Sequence, residues 1–95
     1  MKLEIQPGFL ISALKQEAPV RKGILKMINV ASRLSLTELR NHNGVHLERI
    51  AGYTTPQGDP LYTLRVTRVA RAVATVRGDI LVLVYVEPDH DEVHR

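Results

Sequence analysis

Cysteine and tryptophan are absent from these 95 residues, and the aromatic side chains are Phe9, Tyr53, Tyr62 and Tyr85 alone. Without cysteine there is no disulfide frame and no thiolate metal site, which fits a reducing cytosol. So few rings imply an aliphatic core and argue against platforms for base stacking. Long apolar runs are also missing: the longest, Ile80 to Val86, is far too short to span a bilayer. No charged segment leads into an apolar one, as it would in a secretory signal. The chain therefore reads as soluble and cytoplasmic, with no membrane partner. The glycines are too dispersed for a phosphate loop, a dinucleotide fingerprint or a nucleophile elbow. With no repeat, low-complexity segment or linker, a single domain over 1–95 is expected.

What is present is an ordinary globular composition, 44% hydrophobic and 24% charged, with a net charge of +3. The charge is unevenly placed. Residues 1–43 carry seven Lys/Arg against three acids, residues 44–86 five against three, and 87–95 one Arg against four acids. A basic body with an acidic tail suits an anionic partner, and it equally suits a plain solvated surface.

Patterning gives an order of elements. Lys2 to Ile5 alternates as a short strand, ended by Pro7-Gly8. Phe9 to Gln16 has helical spacing at Leu10, Ala13 and Leu14. Pro19 opens a second helix, along which Val20, Ile24, Met27, Ile28 and Ala31 form an apolar stripe. Lys22, Lys26 and Arg33 fall off it. Ser35-Leu-Thr-Glu38 has the spacing of a capping box and starts a short third helix. Val45 to Ile50 reads as a short strand or extended segment, and residues 51–60, rich in Gly and Pro, as a loop. Tyr62, Leu64 and Val66 alternate with Thr63, Arg65 and Thr67, the pattern of a half-buried antiparallel strand. Ala72 to Val76 is the next strand and Arg77-Gly78-Asp79 the hairpin turn. Ile80 to Val86 is apolar at both alternating sets, so burial on both faces, beneath the helices, is expected. The fold class is α+β, a helical hairpin packed on a small antiparallel sheet.

Several residues carry possible chemistry. Arg65, on the polar face of its strand between two threonines, has a guanidinium that forks onto two phosphate oxygens; a surface ion pair is the plain alternative. Arg49, Arg68, Arg71 and Arg77 add to the basic count. Glu48 could serve as a base toward a 2′-hydroxyl or simply pair with Arg49. His42 and His46 read as solvated. His90 and His94 have pKa values suited to protonating a leaving oxygen, or they belong to a frayed terminus. Their spacing matches a helical pair of zinc ligands, but Asp91 stands where a zinc-protease helix has glutamate. No third ligand is evident, so no metal and no cofactor are expected.

Helical hairpin, HLERIAG, YTLRV, a second Arg six residues after the first, an apolar strand, then HDEVH: this order resembles the RelE/ParE toxin superfamily of type II toxin–antitoxin modules. The resemblance spans nearly the whole chain, with motif-level similarity only from Gly44 onward. It implies two helices on a curved antiparallel sheet, and a toxin partnered by a cognate antitoxin, through which it could oligomerise. It further implies a metal-independent endoribonuclease cutting mRNA at the ribosome and inhibiting translation. The alternative within the same fold is a non-catalytic binding protein, either a DNA gyrase inhibitor or an inactive relative that only binds an antitoxin. By the same resemblance, Glu48 matches a catalytic glutamate and Arg65 the arginine on the scissile phosphate. Arg71 matches a second common arginine, more often structural, and His90 falls near a C-terminal His or Arg that acts in cleavage. His94 stands where many relatives have a near-terminal Tyr. Arg49, Arg68 and Arg71 are the expected phosphate or RNA contacts.

Overall fold

The computed structural model describes residues 1–87. In chain order these form β1 (Lys2–Ile5), α1 (Pro7–Leu14), α2 (Ala18–Arg33), α3 (Leu36–Asn41), β2 (Glu48–Thr54), β3 (Pro60–Arg65), β4 (Arg71–Arg77) and β5 (Ile80–Glu87). His90 and His94 lie outside the described residues.

Both long helices open on proline. Pro7 sits in the first turn of α1, behind the N-cap Gln6, and Pro19 in the first turn of α2. An N–H is not needed there, so the ring costs nothing. This moves α1 two residues earlier than the pattern suggested: Pro7-Gly8 opens the helix as well as ending the strand. Along α2 the stripe faces inward, with Ile24, Met27 and Ala31 buried, while Lys22, Lys26 and Arg33 are exposed. The capping box of α3 forms as spaced. The Glu38 N–H donates to Ser35 Oγ at 3.2 Å and the Ser35 N–H to Glu38 Oε1 at 3.0 Å. The Ser35 N–H first, and the Ser35 hydroxyl second, hold the Glu38 carboxyl below its usual range by hydrogen-bonding its charged form.

The strands form one five-stranded sheet in the order β1-β5-β4-β3-β2. Only β1 is parallel to its neighbour, β5; the other pairings are antiparallel. The three helices share one core with a single face of the sheet. Phe9, Met27, Leu39, Leu64, Leu81 and Leu83 meet there over Ala72 and Ala74 of β4. No helix of the described residues is long and apolar enough to cross a membrane.

Two expectations are corrected. First, the strand after Gly44 does not stop at Ile50. It begins at Glu48 and runs through Ala-Gly-Tyr-Thr54, with a register shift between Arg49 and Thr54. Gly52 takes a φ of +81° inside that shift, a conformation glycine adopts without strain, so the chain bulges and stays paired. The loop shrinks to five residues, Thr55 to Asp59, closed by a 2.8 Å bond from the Thr55 N–H to the Asp59 carbonyl. Second, β5 is interior, but it is not buried throughout. Opposite β4, Val73 pairs with Tyr85 and Ala74 with Leu83, so Val84 is an extra residue. Leu81, Val82, Leu83 and Val86 are buried, whereas Tyr85 is 44% exposed on the helix-free face.

Gly23 lets α2 approach the chain that leaves β3. A β-carbon there would lie 2.5 Å from the Val66 carbonyl oxygen and about 3 Å from side-chain carbons of Val66 and Thr67. The oxygen belongs to the backbone and cannot swing away. Gly23→Ala gains roughly 1 kcal/mol of helix propensity, but overpacking costs about 1–3 kcal/mol. The expected outcome is a net loss of stability, read as a lower urea midpoint; an unchanged or raised midpoint would mean the helix is free to move.

Candidate functional site: the helix-free face of the sheet

Side chains alternate between the two faces of a strand, so the pairing register states which residues share the open face. Glu48 is opposite Thr63, Thr63 opposite Val73, and Val73 opposite Tyr85, a single row across β2, β3, β4 and β5. The next row on the same face is Arg65, Arg71 and Glu87. Leu64, between Thr63 and Arg65, points into the helix-side core. Glu48 and Arg65 are therefore diagonal neighbours on one open face, within reach of long side chains. Both are exposed.

Arg65 and Arg71 stand directly opposite each other, a placement that repels. The conflict is eased because the Nη1 of Arg71 turns to backbone. It donates to the carbonyls of Thr67, Ala70 and Arg68 at 3.1, 3.2 and 3.4 Å. Those carbonyls belong to the β3–β4 connection, also tied by the Val66 N–H to the Ala70 carbonyl at 3.1 Å. Within it, the Ala70 N–H donates to Thr67 Oγ1 at 3.0 Å. Arg71 thus braces the turn, and Arg68 sits exposed on that turn. Among the described residues Arg65 has no acidic partner within ion-pair distance; the ion pairs there are His46 with Glu48 and Arg77 with Asp59.

His46 is exposed, as expected, yet its Nε2 lies 3.8 Å from Glu48 Oε2. Its φ of +43° is uncommon outside glycine and helps carry the ring to that carboxylate. The register sets Arg49 opposite Tyr62, on the other face from Glu48 and Arg65, so the structure does not bring Arg49 to this row. His42 is used structurally. Its Nδ1 accepts the N–H groups of Gly44 and Val45 at 3.1 and 3.0 Å, which shapes the entry to β2. No cluster of three or more metal-ligating side chains occurs among the described residues.

Over the two rows lies a concavity of about 350 Å³ that the sequence did not announce, lined by Tyr53, Leu61, Thr63, Val73, Tyr85 and Glu87 among others. Tyr53 is 65% and Tyr85 44% exposed, so the scarcity of aromatics does not exclude a ring-lined surface. Partial burial, and secondarily the nearby Glu87, push the Tyr85 phenol above its ordinary pKa. The only cue in the sequence was position: both tyrosines sit among residues assigned to a loop or to a two-sided core. Two further surfaces stand out. A pocket of about 260 Å³ is bordered by Lys26, His42, Arg65 and Arg68. An apolar groove of about 300 Å³ between α1 and α2 has Leu10, Leu14 and Leu25 on its walls, each more than half exposed.

The chain matches no protein-family model and no curated protein sequence. Among solved structures it is similar to a copper-bound mutant toxin from Helicobacter pylori. The TM-score is 0.57 and the identity 14%, over 98% of each chain. At that identity the likeness shows a shared fold and nothing about the site.

The two facing arginines are expected to separate in mutagenesis. Arg65→Ala removes an exposed side chain with no partner among the described residues and should change stability by no more than about 0.5 kcal/mol. Arg71→Ala takes a charged donor from the Thr67 and Arg68 carbonyls, while the Ala70 carbonyl keeps the Val66 N–H, and should cost about 1–2 kcal/mol. Urea denaturation of both variants decides it: equal effects would refute the division of labour.

Proposed function

We propose that this chain is the toxin of a type II toxin–antitoxin module and acts as a metal-independent endoribonuclease on mRNA at the ribosome. The observation that carries the reading is the register. It puts a carboxylate, Glu48, diagonal to a guanidinium, Arg65, that has no acidic partner among the described residues, on an open sheet face. The fold shared with a protein described as a toxin adds support, as does the resemblance of HLERIAG and YTLRV to the RelE/ParE superfamily.

In this reaction Glu48 takes the proton of a 2′-hydroxyl, and the 2′-oxygen attacks the adjacent phosphorus. Arg65 stabilises the charge that builds on the phosphorane oxygens. The bond to the 5′-oxygen then breaks, leaving a 2′,3′-cyclic phosphate and a 5′-hydroxyl. His90 or His94, by resemblance, protonates the departing oxygen. His46 beside Glu48 orients that carboxylate. Base, cation and acid are all side chains, so the steps draw on no metal.

An antitoxin partner belongs to the same reading. The exposed leucines of the α1–α2 groove suit the apolar face of a partner segment, and Lys15, Arg21 and Lys22 nearby suit acidic flanks.

Two outcomes are expected. Glu48→Gln and Arg65→Ala should each lower cleavage of ribosome-bound mRNA by at least about a hundredfold, with melting temperatures unchanged and no effect of a chelator. Full activity in both variants would sink the mechanism; wild-type protein that cuts no RNA but inhibits gyrase would move the chain to the non-catalytic alternative. Separately, the product of an adjacent gene should co-purify with the chain, and Leu14→Glu with Leu25→Glu should release it. Retention of the partner by the double variant would place the contact elsewhere.

A further inference from the structure

We propose that the concavity beside Tyr53 and Tyr85 is a nucleobase subsite, taking one unpaired RNA base against the tyrosine rings while Arg65 holds a phosphate of the same strand. The inference rests on the RNA-directed reading above and adds to it the group that would position the strand.

Val73 and Leu61 give the concavity an aliphatic wall, with Thr63 as a polar group beside it. Such a wall alone would accept many apolar groups. Its surroundings make the choice. Two partly exposed rings line it with the Glu87 carboxylate at its edge, and the adjacent row of the same face carries Arg65 and Arg71. Exposed rings next to guanidinium groups match the alternation of base and phosphate along a single strand, since every base offers a π-face and every linkage an anion. The base must be unpaired, because in a duplex its face is stacked away from any side chain.

The spacing fits. Tyr85 and Glu48 are the two ends of one row, three strand intervals apart, or roughly 14 Å. A 2′-hydroxyl at Glu48 and a base at Tyr85 can then belong to neighbouring nucleotides of one strand, with Arg65 between them one row away. The volume, about 350 Å³, suits a single base with part of its ribose. Tyr85 presents a neutral phenol to the strand, and Glu87 at the edge of the concavity is the one acid among its lining residues.

Tryptophan is absent, so the emission of the folded protein comes from its three tyrosines, and Tyr62 is buried on the other face of the sheet. Stacking on Tyr53 or Tyr85 therefore has a direct optical readout. The probe is a tetranucleotide with 2′-O-methyl riboses, which cannot be cleaved by 2′-oxygen attack, compared with its abasic counterpart and with inorganic phosphate. Saturable quenching is expected with the tetranucleotide alone. Tyr53→Ala and Tyr85→Leu, the latter keeping an apolar contact with Val73, should each weaken its binding roughly five- to a hundredfold by fluorescence anisotropy. Tyr85→Phe should bind like the wild type. Equal affinity for the abasic probe, binding without quenching, or no binding at all would each overturn the subsite. Binding without quenching leaves the ribonuclease reading standing. Quenching by the tetranucleotide together with failure to cut the ribose form on the ribosome overturns the ribonuclease reading and leaves the subsite standing.

Discussion

The pairing of β4 between β3 and β5 is the constraint on which the other features rest. Ala72 and Ala74 are fully buried beneath the helices, and their small side chains leave room for Phe9 and Met27. Because side chains alternate with a period of two, a slip of one residue would send those alanines to the other face and drive Arg71 and Arg77 toward the helices. That penalty fixes the register. The register in turn aligns Glu48, Thr63, Val73 and Tyr85 in one row, with Arg65 and Arg71 in the next. The open face is thus a by-product of how the opposite face packs.

The face also shows how a sheet tolerates two like charges set opposite each other. Two arginines directly across from one another would oppose pairing if both pointed into solvent together. One of them braces a turn through carbonyl oxygens, and the other is left without an acidic partner among the described residues. Neighbours that look alike in the sequence thus differ in what their side chains touch. The extra residue at Val84 makes a second division. On the helix side it keeps Leu83 and Val86 in the core, and on the open side it brings Tyr85 into line with Val73.

Departures from expectation share one physical cause, which is that local patterns do not count partners. Ala-Gly-Tyr-Thr54 reads as loop because glycine weakens a strand. Pairing with β3 holds it extended, and Gly52 absorbs the irregularity as a bulge. Arg49 stands next to Glu48 in the chain and across the sheet from it in space. His46 gained a carboxylate neighbour through a backbone turn that no side-chain pattern signals.

The sequence by itself determined the elements whose causes are local. These are the helix opened by Pro19, the apolar stripe of α2, the capping box at Ser35 and Glu38, the alternation from Tyr62 to Arg65, and the Gly78-Asp79 hairpin. Each depends on residues a few positions apart, and nearby chain atoms are enough to satisfy it. It also marked Glu48 and Arg65 as residues of interest. Only the tertiary structure decided that these two share a face, that Arg71 is spent largely on a turn, and that Tyr53 and Tyr85 line one concavity. Those facts depend on strand register and a one-residue bulge, which are settled by packing between residues far apart in the chain.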